Sequence, residues 1–323
     1  MIRSVIKGFG AYLPERRLTN FDLEKMVDTS DEWIVERTGI RERRIAANDE
    51  TTGSLAIRAA REALANASLT PNQIDLIILA TTTPDETLPA TATKVQAALG
   101  MTSGFAFDIQ AACSGFMYAL SVADNYIRTG AIRNALVIGA DTLSRIVDWT
   151  DRNTCVLFGD GAGAVILSAE EGQGTTTDSG ILSLILRSDG ANRNMLISSG
   201  GVSASQSVGK ILMEGREVFR FAVENMSKIA HEILSNNGFT IADVDCLVPH
   251  QANIRIIDAT CRKLGIPSDK VILTLADQGN TSGASVAMAL YDGITRGRIK
   301  HGDLLLLETM GAGLTWSAGL IRY

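Results

Sequence analysis

The sequence predicts an α/β fold made of two similar halves. Segments of strand character alternate with helix-like segments along the whole chain, as is typical of this fold class. The second half also repeats the first, since Gly283 follows its counterpart Gly115 by about 170 residues. A duplicated α/β unit explains both observations, and we expect the halves to span residues 1–172 and 173–323.

In the first half, alternating or continuous apolar runs predict the strands, and apolar residues at helical spacing predict the helices. The strands are expected at residues 2–13, 73–83, 107–109 and 134–141, with a Gly-rich turn and strand at 158–167. The helices are expected at residues 20–27, 54–67, 88–99 and 112–128, with another short helix within 29–43 that is capped by Ser30 or Asp31. Gly100 and Gly130 directly follow two of these helices, where a helix commonly ends.

The second half contains a similar series. A helix at 217–235, a strand at 242–250, a helix from about residue 282 to Gly297 and a Gly-rich turn at 311–314 match elements of the first half. The segment 174–214 has no such match and is rich in glycine and serine, so we expect a connection with few strands. Loops of this length in compact folds usually cover or bind a ligand.

Composition excludes several classes of protein. With 46% hydrophobic and 20% charged residues, disorder is not expected. No apolar run reaches the roughly 18 residues of a membrane span, and the formal net charge of -6 argues against nucleic-acid binding. The four cysteines lack metal-ligand spacing, which predicts no zinc site. We therefore expect a cytoplasmic protein without a metal or a membrane association.

Cys113 stands where a strand turns into a helix, between Ile109 and the long apolar helix. Unpaired N–H groups and the positive end of the helix dipole at that position favour a thiolate. Small neighbours, among them Ala112 and Gly115, leave the sulfur accessible. These features predict a nucleophile, although a buried structural cysteine has the same local pattern.

The duplication brings two further residues toward Cys113. Equivalent turns of a duplicated fold face each other across a pseudo-twofold axis, and the repeat matches the turn of Cys113 with the turn at 280–282, which begins with Asn280. His250 ends a strand of the second half. The other histidines, His231 within a helix and His301 in a charged turn, are expected to be structural or exposed.

Seven motifs, taken in their order along the chain, resemble those of one family, β-ketoacyl-acyl carrier protein synthase III of the thiolase superfamily. The likeness extends over essentially the whole chain. The motifs are TSDEWI at 29–34, RTGI at 37–40, ACSGF at 112–116, FGDGAG at 158–163, PHQAN at 249–253, GNTS at 279–282 and GAGLTW at 311–316. The resemblance implies a thiolase-like fold, a layered αβαβα sandwich of two pseudo-twofold-related halves. It also implies an acyltransferase that initiates type II fatty acid synthesis in the cytoplasm.

The resemblance implies a catalytic triad of Cys113, His250 and Asn280. Cys113 would take an acyl group, expected to be acetyl, from acyl-CoA, while the N–H groups of Cys113 and Ala312 hold the oxyanion. His250 and Asn280 would stabilise the enolate formed when malonyl-acyl carrier protein loses carbon dioxide. The product would be a 3-oxoacyl-acyl carrier protein, and CoA would be a substrate rather than a cofactor.

Further residues follow from the same resemblance. Trp33 and Arg152 would stack around the CoA adenine, with Thr29 and Arg37 nearby and Asn253 beside the pantetheine. The acidic carrier protein would dock on basic residues, namely Arg220, Arg255, Arg262 and Lys263, although a solvated helix face explains these charges as well. The chain would form a homodimer in which Leu88 bounds the acyl pocket of the partner subunit.

Two positions depart from the family pattern. Ala312 stands where glycine is expected, so a positive φ there would strain the turn. Leu88 stands where a phenylalanine is frequent, which leaves the length and branching of the starter acyl group open.

Other functions remain as alternatives. The chain could be a related condensing enzyme with a specialised starter, including one with chemistry like that of chalcone synthase or HMG-CoA synthase, although no catalytic glutamate precedes the Cys113 helix. A thiolase proper would need a second cysteine, which residues 300–323 lack. A Cys-His hydrolase would use water as the acceptor, and a non-catalytic acyl-binding protein would not need the Cys, His and Asn set.

Overall fold

Two β-sheets, one from each half of the chain, lie at the centre of the structure. The computed structural model describes residues 1–323. The strands are β1 (Ile2–Tyr12), β2 (Arg17–Thr19), β3 (Glu42–Arg44), β4 (Leu76–Ala80), β5 (Phe105–Ile109), β6 (Asn134–Thr142), β7 (Asp160–Glu171), β8 (Gly180–Ser188), β9 (Leu196–Ser198), β10 (Ile211–Met213), β11 (Cys246–Pro249), β12 (Leu304–Gly311) and β13 (Thr315–Arg322). The α-helices are α1 (Asn20–Leu23), α2 (Asp31–Thr38), α3 (Thr52–Ala67), α4 (Thr91–Leu99), α5 (Gly115–Arg128), α6 (Val202–Ser205), α7 (Gly215–Asn236), α8 (Ile254–Leu264), α9 (Leu275–Gln278) and α10 (Ser285–Thr295).

The two sheets have the same strand order and direction, which confirms the predicted duplication. The first has the order β1-β7-β6-β4-β5 and the second β8-β13-β12-β11. The pairs β4 with β6 and β11 with β12 are parallel, whereas the other matched pairs are antiparallel. A single parallel bridge between Leu247 and Val271 lies in the second sheet where β5 lies in the first.

Helices fill the space between the sheets and cover both outer faces. The largest apolar cluster joins α5 and α10 to the inner faces of both sheets, through residues such as Phe116, Val286 and Leu307. Helices α3 and α4 cover the outer face of the first sheet, and α7 and α8 cover that of the second. Because α5 and α10 are apolar on most sides, they are buried in the middle layer. The expected αβαβα sandwich is therefore confirmed.

The turns that begin the two central helices are equivalent. Ala112 has φ +48° and Ser282 has φ +52°, and each opens a 3₁₀ turn that leads into α5 or α10. This pairs Cys113 with Gly283, not with the turn at 280–282 that the sequence repeat suggested. Helix α5 has 14 residues and α10 has 11, so no single offset aligns both the starts and the ends of these helices.

The Gly-rich segment expected as a turn at 158–163 is instead mostly part of a strand. β7 begins at Asp160 and runs antiparallel to both β1 and β6. A Cβ atom at Gly163 would lie 2.6 Å from the Cβ of Ala287 and 2.7 Å from the nitrogen of Met288. Glycine is therefore needed here so that α10 can pack directly on the strand.

The expectation of few strands in 174–214 is also wrong. β8 contributes nine residues to the second sheet, and β9 pairs with β10 in a separate hairpin. The helix expected from residue 88 begins at Thr91, because residues that precede a proline such as Pro89 disfavour the helical conformation. No helix of the structure is long and apolar enough to cross a membrane.

Candidate active site

A cavity of about 740 Å³ lies where the two halves meet, and it brings the three predicted catalytic residues together. Cys113 comes from the first half, whereas His250 and Asn280 come from the second. Most of the remaining lining is apolar, with Val156, Phe158 and Met310 among its residues. The cavity therefore has a few polar groups in an apolar surround, as ligand sites commonly do.

Cys113 lies in the 3₁₀ turn between β5 and α5, which confirms its predicted place between a strand and a helix. Its Sγ lies 3.6 Å from the Oγ of Ser282, to which the thiol donates its hydrogen bond. Burial raises the pKa of the thiol to about 12. The expectation that the helix start favours a thiolate is therefore wrong, because loss of solvation dominates.

Two backbone N–H groups beside Cys113 have no partner in the protein. These are the N–H groups of Cys113 itself and of Ala312. The turn after β12 approaches Cys113 so closely that a Cβ at Gly311 would lie 2.7 Å from the nitrogen of Cys113. The Oγ1 of Thr315 donates to the carbonyls of Ala111 and Ala312, each at 3.1 Å, and so ties the two turns together.

Ala312 is not strained. The positive φ of this turn falls on Gly313, at +133°, and Ala312 has a negative φ. The conformation that demands glycine is therefore one residue further along than we expected, and the departure from the family pattern at Ala312 costs no backbone strain.

His250 directly follows β11 and is almost completely buried. Its backbone N–H donates to the carbonyl of Glu308 at 2.7 Å. The ring nitrogen Nδ1 lies 2.5 Å from the Oγ of Ser285, and Nε2 makes no hydrogen bond within the protein. Burial lowers the pKa of His250 to about 4, so the imidazole is neutral at physiological pH.

Asn280 is held at both its backbone and its side chain. Its N–H donates to the carbonyl of Leu157 at 2.9 Å, and its carbonyl accepts from the N–H of Gly159 at 2.9 Å. The N–H of Ser282 donates to Oδ1 at 2.9 Å, which fixes the orientation of the amide. Nδ2 has no partner in the protein, so this donor is free for a ligand in the cavity.

Three of the five residues predicted to bind CoA line the cavity. Trp33, Arg37 and Asn253 line it, whereas Thr29 and Arg152 do not. The guanidinium of Arg37 lies 4.5 Å and that of Arg152 5.2 Å from the centre of the Trp33 ring. Trp33 thus already stacks with Arg152, the residue expected on the other side of the adenine.

The predicted docking residues divide into two groups. Arg220 and Arg255 line the cavity, whereas Arg262 and Lys263 lie in the last turn of α8. Arg220 is paired with Glu217. The apolar residues on the other face of α8 are buried against the second sheet.

Leu88 does not reach the cavity of its own chain. It lies in the loop before α4, and its side chain is 80% exposed. The structure of the single chain thus places it apart from Cys113.

Sequence reasoning missed several residues of the site. Arg216 and Phe219 line the cavity from the first turns of α7. Ser282 contacts Cys113 and Ser285 contacts His250; the only signal for them was that Ser282 ends the predicted GNTS motif and Ser285 lies three residues after it. No three His, Cys, Asp or Glu side chains converge as a metal-binding group.

Comparisons with known proteins all find the same family. The family model of 3-oxoacyl-[acyl-carrier-protein (ACP)] synthase III matches residues 107–190, and the model of its C-terminal part matches residues 234–323. The chain is 59% identical over 322 residues to the β-ketoacyl-[acyl-carrier-protein] synthase III of Rhodospirillum centenum, a match that covers 100% of this chain and 99% of that relative.

Solved structures of this family superimpose on nearly the whole chain. The 3-oxoacyl-[acyl-carrier-protein] synthase III of Aquifex aeolicus superimposes with a TM-score of 0.94 at 50% identity, over 99% of this chain and 100% of the other. The corresponding enzyme of Pseudomonas aeruginosa gives a TM-score of 0.93 at 41% identity, over 99% and 98% of the two chains.

The raised pKa of Cys113 predicts how alkylation depends on pH. Only the thiolate reacts with iodoacetamide, so its rate at Cys113 should rise about tenfold per pH unit from about pH 7 to about pH 10, without a plateau. Mass spectrometry of the peptide that contains Cys113 measures this rate. The Cys113→Ala variant, which keeps the other three buried cysteines, gives the background rate of alkylation. A plateau below about pH 9 would contradict the raised pKa.

Proposed function

The chain belongs to the 3-oxoacyl-[acyl-carrier-protein] synthase III family, and from this membership we propose how its own residues carry out the reaction. It is an acyltransferase, the initiating condensing enzyme of fatty acid synthesis. The observation that carries the proposal is the convergence of Cys113, His250 and Asn280 in one cavity, with Nε2 and Nδ2 free of protein partners.

In the first half-reaction, Cys113 takes an acyl group, which we propose is acetyl, from acyl-CoA. The sulfur attacks the thioester carbon, the C–S bond to CoA breaks, and the thiol proton of Cys113 ends on the departing CoA. The unpartnered N–H groups of Cys113 and Ala312 are the donors for the oxyanion that forms on the way. CoA is a substrate here, and the reaction needs no metal or other cofactor.

In the second half-reaction, malonyl-acyl carrier protein enters the same cavity. Loss of carbon dioxide leaves the electron pair of the broken C–C bond in a thioester enolate, whose oxygen accepts from His250 Nε2 and Asn280 Nδ2. Both donors are neutral, so they stabilise the enolate without protonating its carbon. That carbon attacks the acyl group, and the bond to Cys113 breaks with its electron pair on the sulfur, which takes up a proton from solvent. The 3-oxoacyl-acyl carrier protein then leaves.

We assign the adenine of CoA to the stack of Trp33 and Arg152, with Thr29, Arg37 and Asn253 along its path. Arg152 lies over the Trp33 ring and donates to the carbonyl of Asp28 at 2.8 Å. Entry of the base between them therefore requires the Arg152 side chain to move outward.

Carrier-protein docking is assigned to the basic residues around the cavity mouth and along α8. Arg220 and Arg255 would meet the acidic partner close to the cavity, while Arg262 and Lys263 would extend the contact along α8. Arg216, which also lines the cavity, adds a further positive charge to this surface. Charge complementarity of this kind steers association and is weakened by salt.

We also propose that the enzyme is a cytoplasmic homodimer. β5 is the edge strand of the first sheet, and Phe105 and Tyr126 are stacked edge to face beside it, at 41% and 37% exposure. An unpaired apolar edge is suited to pairing with a second copy. The exposed Leu88 could then bound the acyl pocket of the partner subunit, as the family resemblance implies.

The condensation is tested by intact mass of the protein. Mixing with acetyl-CoA should add one acetyl group, and malonyl-acyl carrier protein should then remove it with release of carbon dioxide. The Cys113→Ala variant should gain no acetyl group. Acylation only by longer or branched acyl-CoA would move the function to a specialised starter, and acylation of wild type and variant alike would contradict the role of Cys113.

The dimer is tested by sedimentation of a charged variant. Phe105→Arg places a charge on the apolar edge, so the sedimenting mass should fall from that of a dimer toward that of one chain. Phe21→Arg is the matched control, because Phe21 is 62% exposed and lies on α1, which is not part of the sheet that ends at β5. A monomeric wild type, or a Phe105→Arg variant that remains dimeric, would contradict an interface at this edge.

A further inference from the structure

Ser285 contacts the ring of His250 on the side away from the cavity. Its Oγ lies 2.5 Å from Nδ1, and the residue is only 1% exposed. It is the first residue of α10, so both its backbone and its side chain are fixed by the central layer of the fold.

The neighbouring hydrogen bonds decide which group donates. The backbone N–H of Gln251 points to the Oγ of Ser285 at 3.4 Å, so this oxygen already accepts a hydrogen bond. Its hydroxyl proton has one acceptor within reach, which is Nδ1 of His250. Since a neutral imidazole carries one proton, a ring that accepts at Nδ1 must carry its proton on Nε2.

The side chain of Gln251 holds this arrangement in place. Its Nε2 donates to the carbonyls of Pro249 at 2.7 Å and Ile272 at 3.1 Å. Its Oε1 accepts from the N–H groups of Thr274 at 2.9 Å and Leu275 at 3.2 Å. All four hydrogen bonds of this amide are therefore satisfied inside the protein, and the end of β11 cannot shift without breaking them.

We propose that Ser285 is a positioning residue that fixes His250 in the Nε2–H tautomer and thereby makes it a donor to the enolate oxygen. The inference rests on the proposed function, because it concerns the second half-reaction. Without the hydroxyl, the proton can occupy Nδ1, and Nε2 then presents a lone pair to the cavity. Such a ring repels the enolate oxygen that it should stabilise.

The two half-reactions should respond differently to the Ser285→Ala variant. Carbon dioxide release from malonyl-acyl carrier protein should fall by about 10- to 100-fold, since one donor to the developing charge is lost in much of the population. Acetylation of Cys113 from acetyl-CoA should change by less than about threefold, because the oxyanion donors of that step are backbone groups. A merely structural defect would slow both.

The matched control is Ser227→Ala. Ser227 is also buried, at 2% exposure, and its Oγ donates only to the carbonyl of Val223 in α7. This variant loses an equally buried hydroxyl without touching His250, so both half-reactions should keep their wild-type rates. The Ser285→Thr variant keeps the hydroxyl and should restore carbon dioxide release at least partly.

The tautomer itself is measured by ¹⁵N NMR of histidine-labelled protein. The chain has three histidines, and the His250→Gln variant identifies the signals of His250. In wild type, Nε2 should show the shift of a protonated ring nitrogen and Nδ1 that of an unprotonated one, and Ser285→Ala should move both signals toward intermediate values. This measurement needs no activity.

The outcomes separate this inference from the proposed function. A wild type that takes up acetyl groups but releases no carbon dioxide would overturn the proposed function. A wild type that is active, with a Ser285→Ala variant equal to it in carbon dioxide release or with the proton of His250 on Nδ1, would overturn only the role of Ser285.

Discussion

The close approach of two backbone turns at the pseudo-twofold axis is the constraint on which the rest of the structure depends. The turn after β12 lies against the Cys113 turn so tightly that Gly311 has no space for a Cβ atom. In the second half, Asn280 forms a parallel β-bridge with Phe158, and its backbone is hydrogen-bonded to Leu157 and Gly159 of the first half. These contacts join the halves, and they also leave the N–H groups of Cys113 and Ala312 unpaired beside the nucleophile.

Burial then sets the protonation state of each group in the site. It keeps Cys113 a thiol and His250 a neutral imidazole by shifting their pKa values in opposite directions. Burial acts in the same way on Glu308, whose carbonyl accepts from the N–H of His250. Its carboxyl is fully buried without a hydrogen-bond partner, and burial raises its pKa to about 8. The cavity thus works with neutral donors, which suits an intermediate that must not be protonated at carbon.

Much of this could be predicted from sequence, because the relevant signals are local or repeated. The strand-to-helix place of Cys113 follows from the residue pattern, and the duplication pairs the two central turns to within two residues. The strand β8 was missed although its Ile and Leu residues alternate in part with polar ones, because the surrounding glycines and serines suggested a loop. The roles of Ser282 and Ser285 depend on which side chain faces them across the axis, and hydroxyls in a run of small residues give no sign of that.

The central claim is that the enolate formed on loss of carbon dioxide is stabilised by His250 and Asn280 and not by Cys113, and one measurement tests it most directly. Release of labelled carbon dioxide from malonyl-acyl carrier protein is followed in Cys113→Ala and in the double variant that adds His250→Ala. The account predicts that Cys113→Ala still releases carbon dioxide and yields acetyl-acyl carrier protein, whereas release by the double variant falls by at least about 10-fold, because Asn280 is then the only donor left. Equal release by both variants, or none by Cys113→Ala, would contradict it.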